Sequence, residues 1–243
     1  MTFGITKQRL RIAIIGGGIG GLTLAIGLRQ RGMVAEVFEQ TSELTEIGAA
    51  VALSANATRE LRRLGVLDAI TAVSTEPTEL IYREWGDGHG IASHRIRLDF
   101  QYRKRFGAPY FGLHRADLQR ILSAPLGRAD LHLGYRLVNV FDESDSIALE
   151  FSNGVIAQAD LVVSADGVRS AVRQFVTGTK DTVYSGTSAL RGIVPVMARQ
   201  SGRKRRVDQD EKKRPDESMI VARGNVWQVL IVAARRSTPD HQR

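Results

Sequence analysis

Six consecutive residues near the start of the chain, Gly16-Gly17-Gly18-Ile19-Gly20-Gly21, have the types and spacing to hold a phosphate. Glycines 16, 18 and 21 stand in the GxGxxG pattern. The first glycine of such a loop permits a tight turn off a strand. The second lets backbone approach a pyrophosphate where a Cβ would intrude, and the third lets the next helix pack on the sheet. Ile19 and Gly20 open that helix, whose unpaired N–H groups and partial positive charge face the phosphates, so the loop needs no Lys or Arg. Glu39 falls eighteen residues after Gly21, with Gln40 beside it. A carboxylate at that distance accepts hydrogen bonds from an adenosine ribose and repels a ribose 2′-phosphate, which disfavours NADP here. By itself the fingerprint suits FAD and NAD equally.

The elements needed to position these groups are legible around them. Leu10–Ile15 is an apolar strand; Leu22, Leu24, Ala25 and Leu28 recur at helical spacing up to Arg31-Gly32; and Val34–Phe38 is a second strand. Strand, glycine loop, helix and strand in about thirty residues form a βαβ unit with parallel strands. Ser54–Leu64 reads as a helix with Ser54 as its cap and Gly65 as its end. Residues 78–113 read as strand-like pieces broken at Gly86-Asp87-Gly88, and Arg115–Leu122 as a helix stopped by Pro125. From Leu131 an alternating pattern predicts antiparallel strands (LHL, RLVNVF, SIALEF), then Val155–Ala157 after an Asn153-Gly154 turn. Asp160–Ser164 (DLVVS) is a candidate buried strand and Val168–Phe175 a short helix.

The segment from Asp160 through Asp166, Gly167 and Ser170 to Arg173 resembles the Asp-Gly motif of the flavoprotein aromatic hydroxylases, a family that includes salicylate hydroxylase. Three more segments resemble that family in the same order: Gly48–Ala57, like its loop and helix beside the flavin; His114–Leu118, like the segment whose Arg contacts FAD; and Arg191-Gly192, like the strand that enters the substrate domain. The resemblance covers residues 10–196. It implies an α/β fold: a Rossmann-like FAD-binding domain over 8–182, with an antiparallel β-meander and an insert at about 76–113 on the substrate side, and a substrate-binding β domain starting at 183–198. It further implies that Gly16, Gly18, Ile19, Gly20, Gly21, Glu39, Gln40, Ala50, Val51, Arg115, Asp166 and Gly167 bind the cofactor, and that Arg191 faces substrate. Asp166 and a basic residue of the following helix would order a diphosphate between them.

Two positions depart from the family pattern: Ala50 stands where Gly is usual, and Ala55 where Pro is usual. The sequence also holds no second Gly-Asp motif of the GDAAH kind, so the enzyme is expected to be truncated at its C-terminus.

Composition bounds the alternatives. The 243 residues include no Cys, which excludes disulfides, thiolate metal sites and a redox-active Cys pair. Of the net charge of +8, residues 199–243 carry most: 12 of the 34 Lys/Arg and 6 of the 26 Asp/Glu lie there, leaving 22 against 20 elsewhere. Residues 199–243 are therefore expected to be a basic, poorly ordered tail, in which Ser218–Ala234 could pair as a hairpin too short to form a core alone. Acidic residues interleave with the basic run of 199–214, which argues against a nucleic-acid arm. Residues 12–28 carry no charge, yet six of these seventeen are Gly, and strand, loop and helix account for them better than a signal peptide or membrane span. A cytoplasmic location is expected.

The function expected from the resemblance is FAD-dependent monooxygenation of a phenolic or aromatic carboxylic substrate, with NADH or NADPH as reductant and O2 as co-substrate. Two alternatives stay open: a truncated, catalytically inactive FAD/ADP-binding module, and an NAD-dependent dehydrogenase using the same fingerprint. No metal site is expected. No catalytic residue is assigned; His94, His114, His132 and Tyr184 have suitable chemistry but are expected to be structural or exposed.

Overall fold

The computed structural model describes residues 10–44, 50–84, 87–97, 101–127, 129–179, 182–183, 187–194, 217–223 and 227–234. In chain order the elements are β1 (Ile12–Ile15), α1 (Ile19–Gln30), β2 (Ala35–Glu39), β3 (Ala50–Leu53), α2 (Ala55–Arg63), α3 (Leu67–Val73), β4 (Glu79–Glu84), β5 (Gly90–Arg95), α4 (Gln101–Phe106), β6 (Phe111–His114) and α5 (Arg115–Ser123). They continue with β7 (Leu131–Leu133), β8 (Leu137–Asp142), β9 (Ile147–Phe151), β10 (Ile156–Ala159), β11 (Leu161–Ser164), α6 (Ala171–Thr177), β12 (Thr187–Val194), β13 (Glu217–Arg223) and β14 (Trp227–Ala234). The chain divides into two compact units: Met1–Glu46 with Ala116–Thr182, and Ile47–Arg115 with Val183–Arg243.

The first unit is built on a parallel sheet in the order β11-β1-β2-β7. Strand alternation sends Ile12 and Ile14 to one face, where they meet Ala25 of α1 with Ala35 and Val37. Ala13 and Ile15 go to the other face, against Phe38, Leu137, Leu149, Phe151 and Val172. Since β1 is buried on both faces, it reads in sequence as an unbroken apolar run rather than an alternating one. Ile14 is 0% exposed, and burying such a side chain contributes roughly 1.5–3 kcal/mol.

The antiparallel meander of this unit has the order β10-β9-β8. Its Asn153-Gly154 turn forms as expected, with Gly154 at φ +82° and the Val155 N–H donating to Asn153 Oδ1 at 3.1 Å. Leu131–Leu133, by contrast, was expected with the antiparallel strands and lies instead in the parallel sheet beside β2. A three-residue alternation is compatible with either sheet, and the partner decides. β11 is also less buried than its apolar sequence predicts: it edges the sheet among the described residues, and Leu161 is exposed. Arg11 and Asp160 tie the starts of β1 and β11 together, with Arg11 N–H at 2.7 Å and Nε at 3.0 Å from the carboxylate.

The second unit contains a two-stranded β3-β6 ladder and an antiparallel sheet in the order β12-β14-β13-β4-β5. Ser54 occupies the N-cap position of α2 as expected, but its hydroxyl bonds Asn56 Oδ1 and makes no cap bond. The α2 start is held by Tyr102 instead, whose hydroxyl accepts from Ala55 N–H at 3.0 Å. Helices α3 and α4 were not anticipated; α4 lies inside the stretch read as strand-like, and with only Tyr102 buried among its six residues it shows no helical apolar period. Within the stretch read as a basic tail from 199, β13 and β14 pair as a hairpin. The hairpin needs no core of its own, because β13 pairs with β4 and β14 with β12. Residues 195–216 and 235–243 lie outside the described residues.

Candidate functional site

The glycine loop begins where β1 ends. Gly16 has φ +109°, and a Cβ there would sit 2.4 Å from the Ala165 carbonyl oxygen, so both the turn and the packing exclude a side chain. This close approach brings the loop against the Asp-Gly segment that follows β11, joining two motifs about 150 residues apart. A Cβ on Gly21 would lie 2.0 Å from the Gly16 carbonyl oxygen, so α1 can seat on the loop only without one. At Gly18 and Gly20 an added Cβ meets nothing within 4 Å among the described residues. The first and third glycines of the pattern therefore serve the fold, while the second faces open space. Gly18 is the N-cap of α1, has no side chain to cap with, and no acidic residue occupies the first turn, which leaves the helix's N-terminal N–H groups for an anion.

Two side chains fix the loop's peptide planes. Gly17 N–H donates to Glu39 Oε2 at 2.6 Å, and Thr41 donates to Glu39 Oε1 from its N–H at 2.9 Å and its hydroxyl at 3.1 Å. A carboxylate has about four acceptor positions, so Glu39 keeps capacity for a ribose hydroxyl beyond these three bonds. Gln40 next to it is exposed. On the other side of Gly17, its carbonyl oxygen accepts from Gln119 Nε2 at 2.9 Å. Sequence reasoning missed Gln119, which lies on α5, 102 positions away. The one available signal was a polar residue on the apolar face of that helix, among the buried Leu118, Ile121 and Leu122. Gln119 is 4% exposed and its Oε1 has no partner among the described residues. An unpaired buried acceptor costs about 1–3 kcal/mol, so the bond to Gly17 is kept against a penalty that a leucine would not incur.

Asp166 lies in the turn between β11 and α6 and is hydrogen-bonded by groups of that turn. Its Oδ2 accepts from the Ala171 and Val172 N–H groups at 2.7 and 3.4 Å, and its Oδ1 from the Ser164 hydroxyl at 2.5 Å. Partial burial opposes the charged form, but hydrogen bonds from Ser164, Ser170 and the Ala171 amide outweigh it and hold the carboxyl below the usual carboxylate range. Ser170 caps α6 through Arg173 N–H at 2.8 Å, and the Arg173 guanidinium donates to the Val168 carbonyl at 2.5 Å. Carboxylate and guanidinium thus both bond groups of their own turn. Gly167, at φ +75°, makes that turn possible. Gly16 packs against Ala165 and the Asp166 amide of this segment.

In the second unit, β3 pairs with β6 so that Ala50 lies opposite His114 and Val51 opposite Leu113. Two of the segments recognised in the sequence are therefore neighbours, and Arg115 continues directly from β6 as the half-buried first residue of α5. Residues 45–49, including Gly48, lie outside the described residues, as does Tyr184. Arg191 is in β12 opposite Leu230. His132 stacks on Phe38 at 4.8 Å and its Nε2 lies 2.8 Å from Glu36, a structural setting, and His94 is exposed in β5. No helix among the described residues is long and apolar enough to cross a membrane.

Comparison with known proteins gives this geometry a family. Residues 9–238 match the family described as FAD binding domain. The 3-amino-4-hydroxybenzoate 2-monooxygenase of Streptomyces cremeus is 39% identical over 191 residues, covering 79% of this chain and 48% of that protein. The 6-hydroxynicotinate 3-monooxygenase of Bordetella bronchiseptica is 31% identical over 185 residues, covering 76% and 48%. The chain thus spans about half the length of these curated relatives. Among solved structures, 2-methyl-3-hydroxypyridine-5-carboxylic acid oxygenase matches with a TM-score of 0.70 at 26% identity, over 96% of this chain and 60% of that one. Klebsiella pneumoniae HpxO, complexed with FAD and uric acid, shares the fold with a TM-score of 0.73 at 24% identity, over 96% and 58%. With a family match along most of its length, the chain belongs to the FAD binding domain family.

Proposed function

We propose that this chain is the FAD-holding portion of a monooxygenase that hydroxylates a hydroxylated aromatic carboxylate, using NADH or NADPH and O2. The observation that carries the reading is the glycine loop: Gly17 is held on both sides, by Glu39 and Gln119, while the space in front of Gly18 is open. Such a site is rigid before the ligand arrives, so little ordering opposes binding. The α1 N-terminus and the loop amides would hold the pyrophosphate, and Glu39 the adenosine ribose. In this reading Ala50, Val51 and Arg115 contact the cofactor, while Asp166 and Gly167 support it by shaping the turn behind Gly16. When bound, the flavin supplies the redox chemistry, taking electrons from the nicotinamide nucleotide and delivering one oxygen atom of O2 to the ring. The protein's tasks are to orient the ring and exclude water.

The substrate class is inferred from two relatives named for 3-amino-4-hydroxybenzoate and 6-hydroxynicotinate, both hydroxylated aromatic carboxylates. Arg191 is proposed to pair with such a carboxylate. The test is NAD(P)H consumption by FAD-loaded protein, with and without hydroxybenzoates and hydroxynicotinates. Substrate-stimulated oxidation with hydroxylated product supports the reading; consumption indifferent to every aromatic acid would sink the substrate assignment. A second reading is an FAD-binding module without turnover. It predicts flavin uptake without NAD(P)H oxidation.

A further inference from the structure

We propose that Gln119 is a positioning residue for the cofactor loop, presetting the Gly18 N–H toward the pyrophosphate through its grip on the Gly17 carbonyl. The inference rests on the cofactor reading above. In a planar trans peptide the C=O and the next N–H point in opposite directions. The Gly17 oxygen is held by Gln119 Nε2 at 2.9 Å in a buried setting, so the Gly18 N–H of the same plane points the opposite way. The preceding plane is fixed independently, its Gly17 N–H by Glu39 Oε2 at 2.6 Å. Without either bond, glycine's wide φ/ψ freedom would let these planes rotate, and a donor aimed at the phosphate would be one orientation among several.

The orientation of the Gln119 amide follows from its partner. A carbonyl only accepts, so the nitrogen must face Gly17, and that leaves Oε1 buried without a partner among the described residues. Side chains that merely fill a core do not carry this defect, and Gln119 sits between residues that do fill one, Leu118 and Ile121. The side chain does not reach the ligand itself, since its free oxygen is enclosed. It acts through Gly17.

The test uses the full chain labelled with 15N-glycine. In ligand-free protein, Gln119→Met keeps the volume and removes the donor, and Gln119→Glu places an acceptor against the Gly17 oxygen. Both are expected to change the Gly18 N–H residual dipolar coupling while leaving the far-ultraviolet circular dichroism intact. ADP affinity is expected to fall at least tenfold, more in Glu than in Met. A coupling unchanged in both variants, or ADP affinity within twofold of wild type despite a changed coupling, would overturn the proposal. Should neither variant fold, the through-bond scalar coupling between Gln119 Nε2 and the Gly17 carbonyl carbon in wild-type protein uniformly labelled with 15N and 13C decides: its presence supports the grip and its absence refutes it. Wild-type protein that binds neither ADP nor FAD would overturn the cofactor reading and this use of the loop with it. That failure is distinguishable, because the dipolar coupling is read without nucleotide.

Discussion

Gly17 N–H donates to Glu39 Oε2 at 2.6 Å, tying the loop after β1 to the end of β2. The carboxylate expected to serve the ribose therefore also holds the protein's own loop. Replacing it removes a charged acceptor from a partly buried amide, a change of about 1.5–3 kcal/mol. Glu39→Ala should weaken FAD binding by roughly tenfold to a hundredfold and lower the melting temperature as well. Isothermal titration and a thermal melt would check both; an affinity loss with no change in stability would mean that the loop bond contributes nothing to the free protein.

The three glycines of the pattern should separate by what their substitution breaks. At Gly18 a Cβ meets no atom of the described residues within 4 Å, so Gly18→Val is expected to fold with near-wild-type stability and lose FAD binding, because the side chain occupies the pyrophosphate's approach. At Gly21 a Cβ would meet the Gly16 carbonyl oxygen at 2.0 Å, so Gly21→Ala is expected to destabilise the fold by about 1–3 kcal/mol or more. Denaturant melts beside FAD titrations would show the contrast.

Stability should fall on acidification through Asp166. Its folded pKa lies below the unfolded value of about 3.9, so its contribution is fully present above that value and is lost as pH falls through the folded pKa. Denaturation curves at a series of pH values should show Asp166→Asn destabilised at neutral pH and less sensitive to acid than wild type. Equal acid sensitivity would show that the turn does not depend on the charge.

Loss of the Ser170 cap should be milder. Ser170→Ala leaves the Arg173 N–H without its acceptor and is expected to cost about 0.5–2 kcal/mol, measurable as a shift in the urea midpoint at unchanged slope.

How much of this was legible in the sequence depended on how local the cause was. The β1-α1-β2 unit was readable because its determinants lie within thirty residues: an apolar run, a glycine turn and a helical period. The Asn153-Gly154 hairpin was readable for the same reason. Leu131–Leu133 was misplaced because three alternating residues do not name their partner strand, and the partner here is β2, almost a hundred residues earlier. Gly16, Gly18 and Gly21 were visible as a motif, but only the structure separates the two that pack from the one that stands open. Asp166 was visible as an acid beside a glycine, yet its hydrogen bonds go to Ser164 and the start of α6, which no spacing rule discloses. Gln119 showed in the sequence only as a polar residue on an apolar helix face; its partner was not readable, because the side-chain bond crosses 102 positions to a backbone oxygen and backbone partners leave no trace in residue type.

The reading proposed for the Gly16–Gly21 loop is that it holds FAD. The most direct test is the visible spectrum of the wild-type protein and of Gly18→Val after incubation with FAD and removal of free flavin by gel filtration. Wild type is predicted to retain close to one flavin per chain, with its absorbance band near ~450 nm, and Gly18→Val to emerge folded and colourless. Wild-type protein that keeps no flavin, or a variant that keeps as much as wild type, would contradict the claim.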